Sequence, residues 1–484
     1  MDKKFTKYVF FDNNLEHRTL AEDISKAQKG RFSITFVGAK DSFNDSQWKA
    51  FQERVKVEVI ESKTDLLNLS SKELEALFSS DKTNFFFISK NADRNVALSF
   101  LVMDVAKKLK IAYEKFAMFI APNWEEVESF LLQRQKDIAM NFDVKLINPA
   151  RLAAYMLSKK FHPIDSLEFD SANLVAKNDI KVALVGLSVN VREALFKTYQ
   201  QGRFEGAKFI VDYFDVQANA KFESFKQKFA GFLGDVEFSV KNLSTYKELE
   251  GVDFSGYDIV IIDFLDDARH VEFAKQLQQS FLTTMNIATT IAPFVECVSA
   301  DEFKDCPNVQ AFGNVESVFS ANAIIADAFT TSGRYVNDYY NSTKLDSNKI
   351  KNWIGLSDFE RGSNVSVADF NFSFIKMIGR ETFKNFKSSQ DFKKWLKDNP
   401  EKYETLARTE HLRWCAYLYS NGWNVMPLEE DIMVENKDSK RKLHACLVPF
   451  DELAPVSKMF NEDYEKYDYD NVDIIFDIFK ILNK

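Results

Sequence analysis

The side chains best suited to chemistry in this chain gather near its C-terminal end, in LARTEHLRWCAYLYSNGW (406–423) and KLHACLVPFDEL (442–453). Trp414 and Trp423 offer flat π surfaces, and a purine stacked on such a ring gains about 1–3 kcal/mol. Arg413, Arg441 and Lys442 offer positive charge for phosphate oxygens. His411 precedes Trp414 by three residues, so the two share a helical face and the imidazole can give or take a hydrogen bond beside the indole. The competing assignment makes Trp414, Trp423, His411 and His444 core residues of the fold, with His444 bonded to a backbone carbonyl; a large aromatic such as Trp414 at a groove serves either purpose.

Other constellations are thinner. No GxSxG elbow, paired-carboxylate motif or Walker A loop is present, so no catalytic residue is assigned. There are five histidines and no HExxH or CxxC, and Cys297, Cys306, Cys415 and Cys446 lack metal-ligand spacing. Asp263, Asp266 and Asp267 follow an apolar run; a hard cation takes such oxygens, but a solvated loop and helix cap is the commoner use, and no metal is expected. Arg361, Ser363 and Asn364 either close a ligand pocket or place Ser363 as the cap of a helix from Val365. A dinucleotide site needs glycines that let backbone N–H groups approach the pyrophosphate. Here GxGxxG survives only as Gly186, Ser188 and Val191, with Asp212 or Asp215 where a ribose-binding acid would fall. The corresponding FDNNLEHR near the N-terminus has no glycine. The chain holds 15 glycines, about half the usual ~7%. The expectation is a scaffold without cofactor; the alternative is an NAD-dependent enzyme that uses Gly186 and Ser188.

These residues need elements to hold them. Tyr403, Leu406, Ala407, His411, Trp414 and Leu418 recur at steps of three or four, which predicts a helix stopped at Asn421-Gly422. The run 445–448 before Pro449 predicts an extended segment returning beside it. Upstream, short β-like runs at 8–11, 34–37, 55–60, 85–88 and 116–120 alternate with helical patterns at 72–77, 96–109 and 125–135. A last strand, turn and closing helix follow in 143–163. The rhythm restarts with strands at 180–186, 208–213, 236–240, 257–262, 286–291 and 309–312, and a helix at 189–200. Such alternation predicts parallel sheets covered by helices. A long helix is expected from 314 to 340, a solvated connector at 461–473, and a closing helical face from Val472, Ile475, Phe476 and Phe479. The fold class is therefore α/β: two tandem doubly wound Rossmann-like domains (1–165, 175–345) followed by a mainly α-helical domain (346–484).

With 484 residues, 45% hydrophobic and 28% charged, the chain has material for three domains. Its net charge of −9 argues against binding a nucleic acid polymer. No apolar run spans a bilayer and no signal peptide is evident, so a cytoplasmic protein with free thiols and no membrane insertion is expected.

The two C-terminal segments resemble the RyR domain, the repeat of ryanodine receptors and of many prokaryotic proteins. The match lies on His411, Trp414, Gly422 and Trp423, then Lys442, Leu443, His444, Cys446, Leu447, Val448 and Leu453. His444-Ala445 stands where that family usually has His-Pro. Less extensively, INPARLAAYML and VALVGLSVNVREAL resemble the nucleotide-binding (TrkA-N type) domains that occur beside RyR domains in bacterial proteins. The resemblance implies an adenine nucleotide stacked on Trp414. His411, Arg413, Trp423, Lys442, His444, Arg361 and Asn364 are the further candidate ligand residues. It also implies a homo-oligomeric, ligand-responsive sensor rather than an enzyme, reading an adenine or cyclic-nucleotide-type signal in anti-phage immunity. The remaining alternative is a non-catalytic gating or scaffold subunit.

Overall fold

The first sheet has six parallel strands, β1 (Phe5–Phe11), β2 (Arg31–Ala39), β3 (Glu58–Ser62), β4 (Lys82–Phe87), β5 (Phe116–Ile120) and β6 (Asp143–Leu146), in the order β3-β2-β1-β4-β5-β6. The second has β7 (Ile180–Val185), β8 (Phe209–Val216), β9 (Glu237–Leu243), β10 (Ile259–Ile262), β11 (Asn286–Thr290) and β12 (Val309–Phe312), in the order β12-β11-β10-β7-β8-β9. Counted within each sheet, both run 3-2-1-4-5-6, the order of doubly wound Rossmann-like folds. The predicted strands recur with only their ends moved. The computed structural model describes residues 5–62, 65–112, 115–121, 143–263, 267–280, 286–290, 309–325, 328–343, 353–427 and 435–483. The helix expected at 125–135, together with Cys297, Cys306 and Asp266, lies outside them.

Parallel strands covered on both faces need apolar side chains throughout, and here phenylalanine supplies many of them. Phe36, Phe10, Phe86 and Phe119 are register partners across β2, β1, β4 and β5. Their rings stack with centroids 5.0, 4.6 and 4.7 Å apart, all essentially without solvent contact. Such a ladder ties register to ring packing, because a slip of one residue would turn every ring to the other face.

Contacts group the chain into two units, 1–152 with 315–327 and 340–362, and 153–314 with 328–339 and 363–484. The second sheet and the C-terminal helices thus share the second unit. The long helix expected from 314 is broken into Val315–Val318, Ala321–Ile324 and Ala328–Thr343. The Ser320 hydroxyl causes one break, accepting the Ala323 N–H at 3.1 Å as an N-cap. Among the described residues no helix is long and apolar enough to cross a membrane.

C-terminally the principal helices are Asp358–Ile378, Ser389–Asp398, Pro400–Ser420, Leu453–Phe460, Glu465–Asp473 and Ile475–Leu482. The two-residue strands β13 (Asn424–Val425), β14 (Lys437–Asp438) and β15 (Leu443–His444) form a small sheet ordered β13-β15-β14. Helix Pro400–Ser420 starts with proline at its first position and stops at Gly422, whose φ of +79° suits glycine. Two expectations are corrected. Ser363 caps nothing, because its helix already begins at Asp358, where Ser357 and Glu360 form a reciprocal cap. The stretch 461–473 is no connector: Glu465–Asp473 is a helix that buries Asp468 and Asn471.

Within the second unit, helix Pro400–Ser420 lies against the βα layer that follows β7. Gln200 Nε2 donates to Ser420 Oγ at 2.7 Å and the Glu205 N–H to Thr409 Oγ1 at 3.3 Å. Asp369 is buried, and the ammonium groups of Lys159 and Lys197 and the Gln201 amide converge on it. At Gly231 the backbone approaches so closely that a Cβ would sit 2.4 Å from Trp423 O and 2.5 Å from the Tyr419 ring. A side chain there forces these surfaces apart. Gly231→Val is expected to destabilise the protein by about 1–3 kcal/mol, read as a lower urea midpoint, whereas Gly234→Val, with open space around it, should leave the midpoint nearly unchanged.

Candidate functional site

Helix Pro400–Ser420 positions the candidate site. His411 is almost wholly buried, with Nδ1 3.1 Å from Asp468 Oδ2 and Nε2 2.8 Å from the Val448 carbonyl oxygen. Both nitrogens face acceptors, so both must carry protons and the ring is an imidazolium. Burial opposes that charge, but Cys415 and Asp468 outweigh it and hold the His411 pKa well above 6.5. Burial in turn pushes the Asp468 carboxyl up to about 6 against the pull of His411. Cys415 Sγ lies 3.5 Å from the same Nε2, so sulfur, imidazole and carboxylate line up as nucleophile, base and orienter do. The Nε2 proton is directed at Val448, however, and the thiol is buried. The row therefore works as a packed link between helix Pro400–Ser420, helix Glu465–Asp473 and the segment after β15.

Arg413 points elsewhere. Its Nε and Nη2 both meet the Glu410 carboxylate at 2.7 Å, its Nη1 donates to Ser366, and Asn471 Nδ2 adds a bond to Glu410 at 2.7 Å. Both charged side chains are sealed from solvent. The guanidinium that the sequence offers to a phosphate is thus engaged inside the fold.

Trp414 differs from its neighbours in being only partly buried, lying on a cluster that includes Met426, Ala445, Cys446, Leu453, Val456 and Tyr464. Its ring stacks near His411, with centroids 5.7 Å apart, and meets His444 edge-on at 5.0 Å. His444 Nδ1 accepts the Cys446 N–H at 3.1 Å, which fixes the tautomer with the proton on Nε2. Burial first, then the charges of Lys437 and His411, lower the His444 pKa to about 4, so the ring is neutral at pH 7. Neither its Nε2–H nor the Trp414 indole N–H has a hydrogen-bond acceptor among the described residues, and neither atom is shut away from solvent. Two ring donors thus adjoin one another at a partly buried indole.

The other candidates scatter. Trp423 is buried, tilted against His444 at 6.2 Å. Lys442, at φ +53°, donates to the Asn421 carbonyl at 3.0 Å, and Arg441 pairs with Asp438. Arg361 belongs to the first unit and donates to the carbonyls of Trp353 and Val144, at 3.1 and 2.8 Å. Asn364, on the same helix, is partly buried and belongs to the second. The Ala445 N–H donates to Asn436 O at 2.9 Å, a bond that a proline at this position could not make.

The first turns of the two sheets have one design. Gly186, just after β7, has φ +90° and donates its N–H to Phe214 O; Asp12, just after β1, has φ +84° and donates to Val37 O. Two residues on, Ser188 and Asn14 each cap the following helix. At the first turn Asn14 occupies the His17 N–H, Asn13 reaches Ser42 O, and Arg94 pairs with Asp12 at 3.0 Å. At the second, Ser188 donates to Asp263, and Asp215 is buried under Tyr213, Tyr246 and Lys221. Asp212 accepts from Tyr257 at 2.6 Å. Among the described residues no acidic, histidine or cysteine group is arranged to hold a metal.

No protein-family pattern matches the chain, and no curated protein matches it. Two structures of the catalytic subunit of M. jannaschii aspartate transcarbamoylase, one in an orthorhombic crystal form, are similar over 67% of this chain and 85% of theirs. Their identities are 11% and 14% and their TM-scores 0.32 and 0.31. A likeness that slight says nothing about activity.

The buried charges make two measurable claims. Arg413→Ala leaves Glu410 charged and unpaired, and is expected to cost about 3–5 kcal/mol in urea unfolding. The raised pKa values of His411 and Asp468 mean that the native state holds protons the unfolded chain has released, so their stabilisation is lost as pH rises. The His411 contribution to the stability gap between the wild type and His411→Gln should therefore be full below the ordinary histidine value of 6.5 and be lost as pH climbs through the folded pKa of His411; a gap independent of pH would contradict the imidazolium.

Proposed function

We propose that the C-terminal helices form a RyR-type ligand-binding module, and that the chain is a sensor of an adenine-containing nucleotide signal. The observation that carries this reading is the pairing of a half-open indole with an adjacent imidazole whose N–H has no acceptor among the described residues. A purine satisfies both features, because its face stacks on Trp414 while its ring nitrogens accept hydrogen bonds. Placement of this helix against the βα layer after β7, in one unit, gives binding a route to an output. A ligand shifts that packing only to the extent that it prefers one arrangement over another. The doubly wound sheets serve as framework, and an anti-phage signalling role is the setting that the RyR resemblance suggests.

Calorimetric titration with ATP, ADP-ribose, NAD and cyclic nucleotides checks the reading. At least one adenine compound should bind the wild type. Trp414→Ala should weaken it by about tenfold or more, the equivalent of one lost stacking contact, and Trp414→Phe should retain most of the affinity. Binding untouched by Trp414→Ala but abolished by Gly186→Val would place the site at the β7 turn and reject this proposal.

A further inference from the structure

The cations that the sequence offers for a phosphate, Arg413, Arg441 and Lys442, are engaged on Glu410, Asp438 and the Asn421 carbonyl. Lys437 is placed differently. It lies on β14 directly opposite His444 on β15 in an antiparallel pair. Side chains of directly opposed residues leave the same face of a sheet with Cβ atoms about 4.5–5.5 Å apart. Lys437 is exposed, and no carboxylate or other acceptor meets it among the described residues. Its charge is nonetheless felt at the His444 ring.

We infer that Lys437 is the phosphate-reading residue of the Trp414–His444 site, which makes the ligand an anionic purine nucleotide rather than a nucleoside or free base. The inference rests on the adenine-binding reading above. Three donors then line one patch: the indole N–H, the His444 Nε2–H and the Lys437 ammonium. His444 is in contact with Trp414 on one side and opposes Lys437 on the other, so a ligand whose base stacks on the indole directs its ribose and phosphate toward the β14–β15 edge. An ammonium on a flexible stem suits this task, because a lysine tracks a phosphate as a point charge without the fixed fork of arginine. Specificity follows from the sum of donors, because an uncharged ligand leaves the ammonium unanswered.

The experiment compares adenosine, ADP and ATP on the full chain carrying Lys437→Gln, Lys437→Arg, Lys440→Gln or Trp414→Ala. Lys440 is exposed on the turn that follows β14 and serves as the control for diffuse charge. Lys437→Gln should weaken ADP and ATP by about tenfold, the worth of one charge-assisted hydrogen bond, while adenosine changes less than about twofold and Lys437→Arg restores nucleotide binding. The nucleotide preference should also fall with added salt in the wild type and do so less in Lys437→Gln. Nucleotide binding that depends on Trp414 but is equal in Lys437→Gln, or equally reduced by Lys440→Gln, overturns this inference and leaves the adenine site standing. Failure of every adenine compound to bind in a Trp414-dependent way removes the site and the inference with it.

Discussion

His411 is held between two acceptors, and the C-terminal module is arranged around that constraint. A buried imidazolium tolerates loss of water only if each N–H finds an oxygen. Asp468 supplies one from helix Glu465–Asp473 and Val448 the other from the segment after β15. One side chain thus ties two separate pieces of chain to helix Pro400–Ser420. It also sets the position of Trp414, whose ring lies beside the imidazole on one side and meets His444 on the other. The Glu410–Arg413 pair does a parallel task one step along the helix, drawing in Ser366 and Asn471. With these ionic links inside, the half-buried indole is left at the edge of the core rather than within it.

The doubly wound sheets show the same economy of means used twice. Each turns after its first strand through a residue in a left-handed conformation and then caps its helix with a short polar side chain. Glycine takes this turn easily in the second sheet. In the first, an aspartate adopts it and is held by Arg94, although such a φ is costly for a side-chain-bearing residue. Asn13, Asn14 and Arg18 then fill the space over the helix N-terminus. A pyrophosphate approaching there would meet side chains in place of bare backbone.

Much of this was legible in the chain itself. Runs of Val, Ile and Phe at regular intervals located every strand of both sheets, because parallel strands buried on two faces leave an unmistakable apolar trace. The helix around Trp414 and its stop at Gly422 followed from spacing and from glycine's tolerance of φ +79°. The errors share one cause. Polar residues were assigned to solvent or ligand when they answer other polar residues far along the chain: Arg413 answers Glu410 and Ser366, and Asp468 answers His411. Tyr464, Asp468, Asn471, Val472 and Ile475 do recur at helical spacing, a signal that the acidic character of 461–473 obscured. Lys437 carries no local signal at all, since only the pairing of two-residue strands places it opposite His444.

The central claim is that the Trp414 indole meets a purine. Labelling the six tryptophan side chains with nitrogen-15 and titrating with ATP or ADP-ribose follows each indole N–H separately. The account predicts that the Trp414 signal, assigned by its loss in Trp414→Phe, moves strongly and saturably, while the buried Trp48 signal stays in place. A ligand that binds tightly yet leaves the Trp414 resonance unmoved would contradict it.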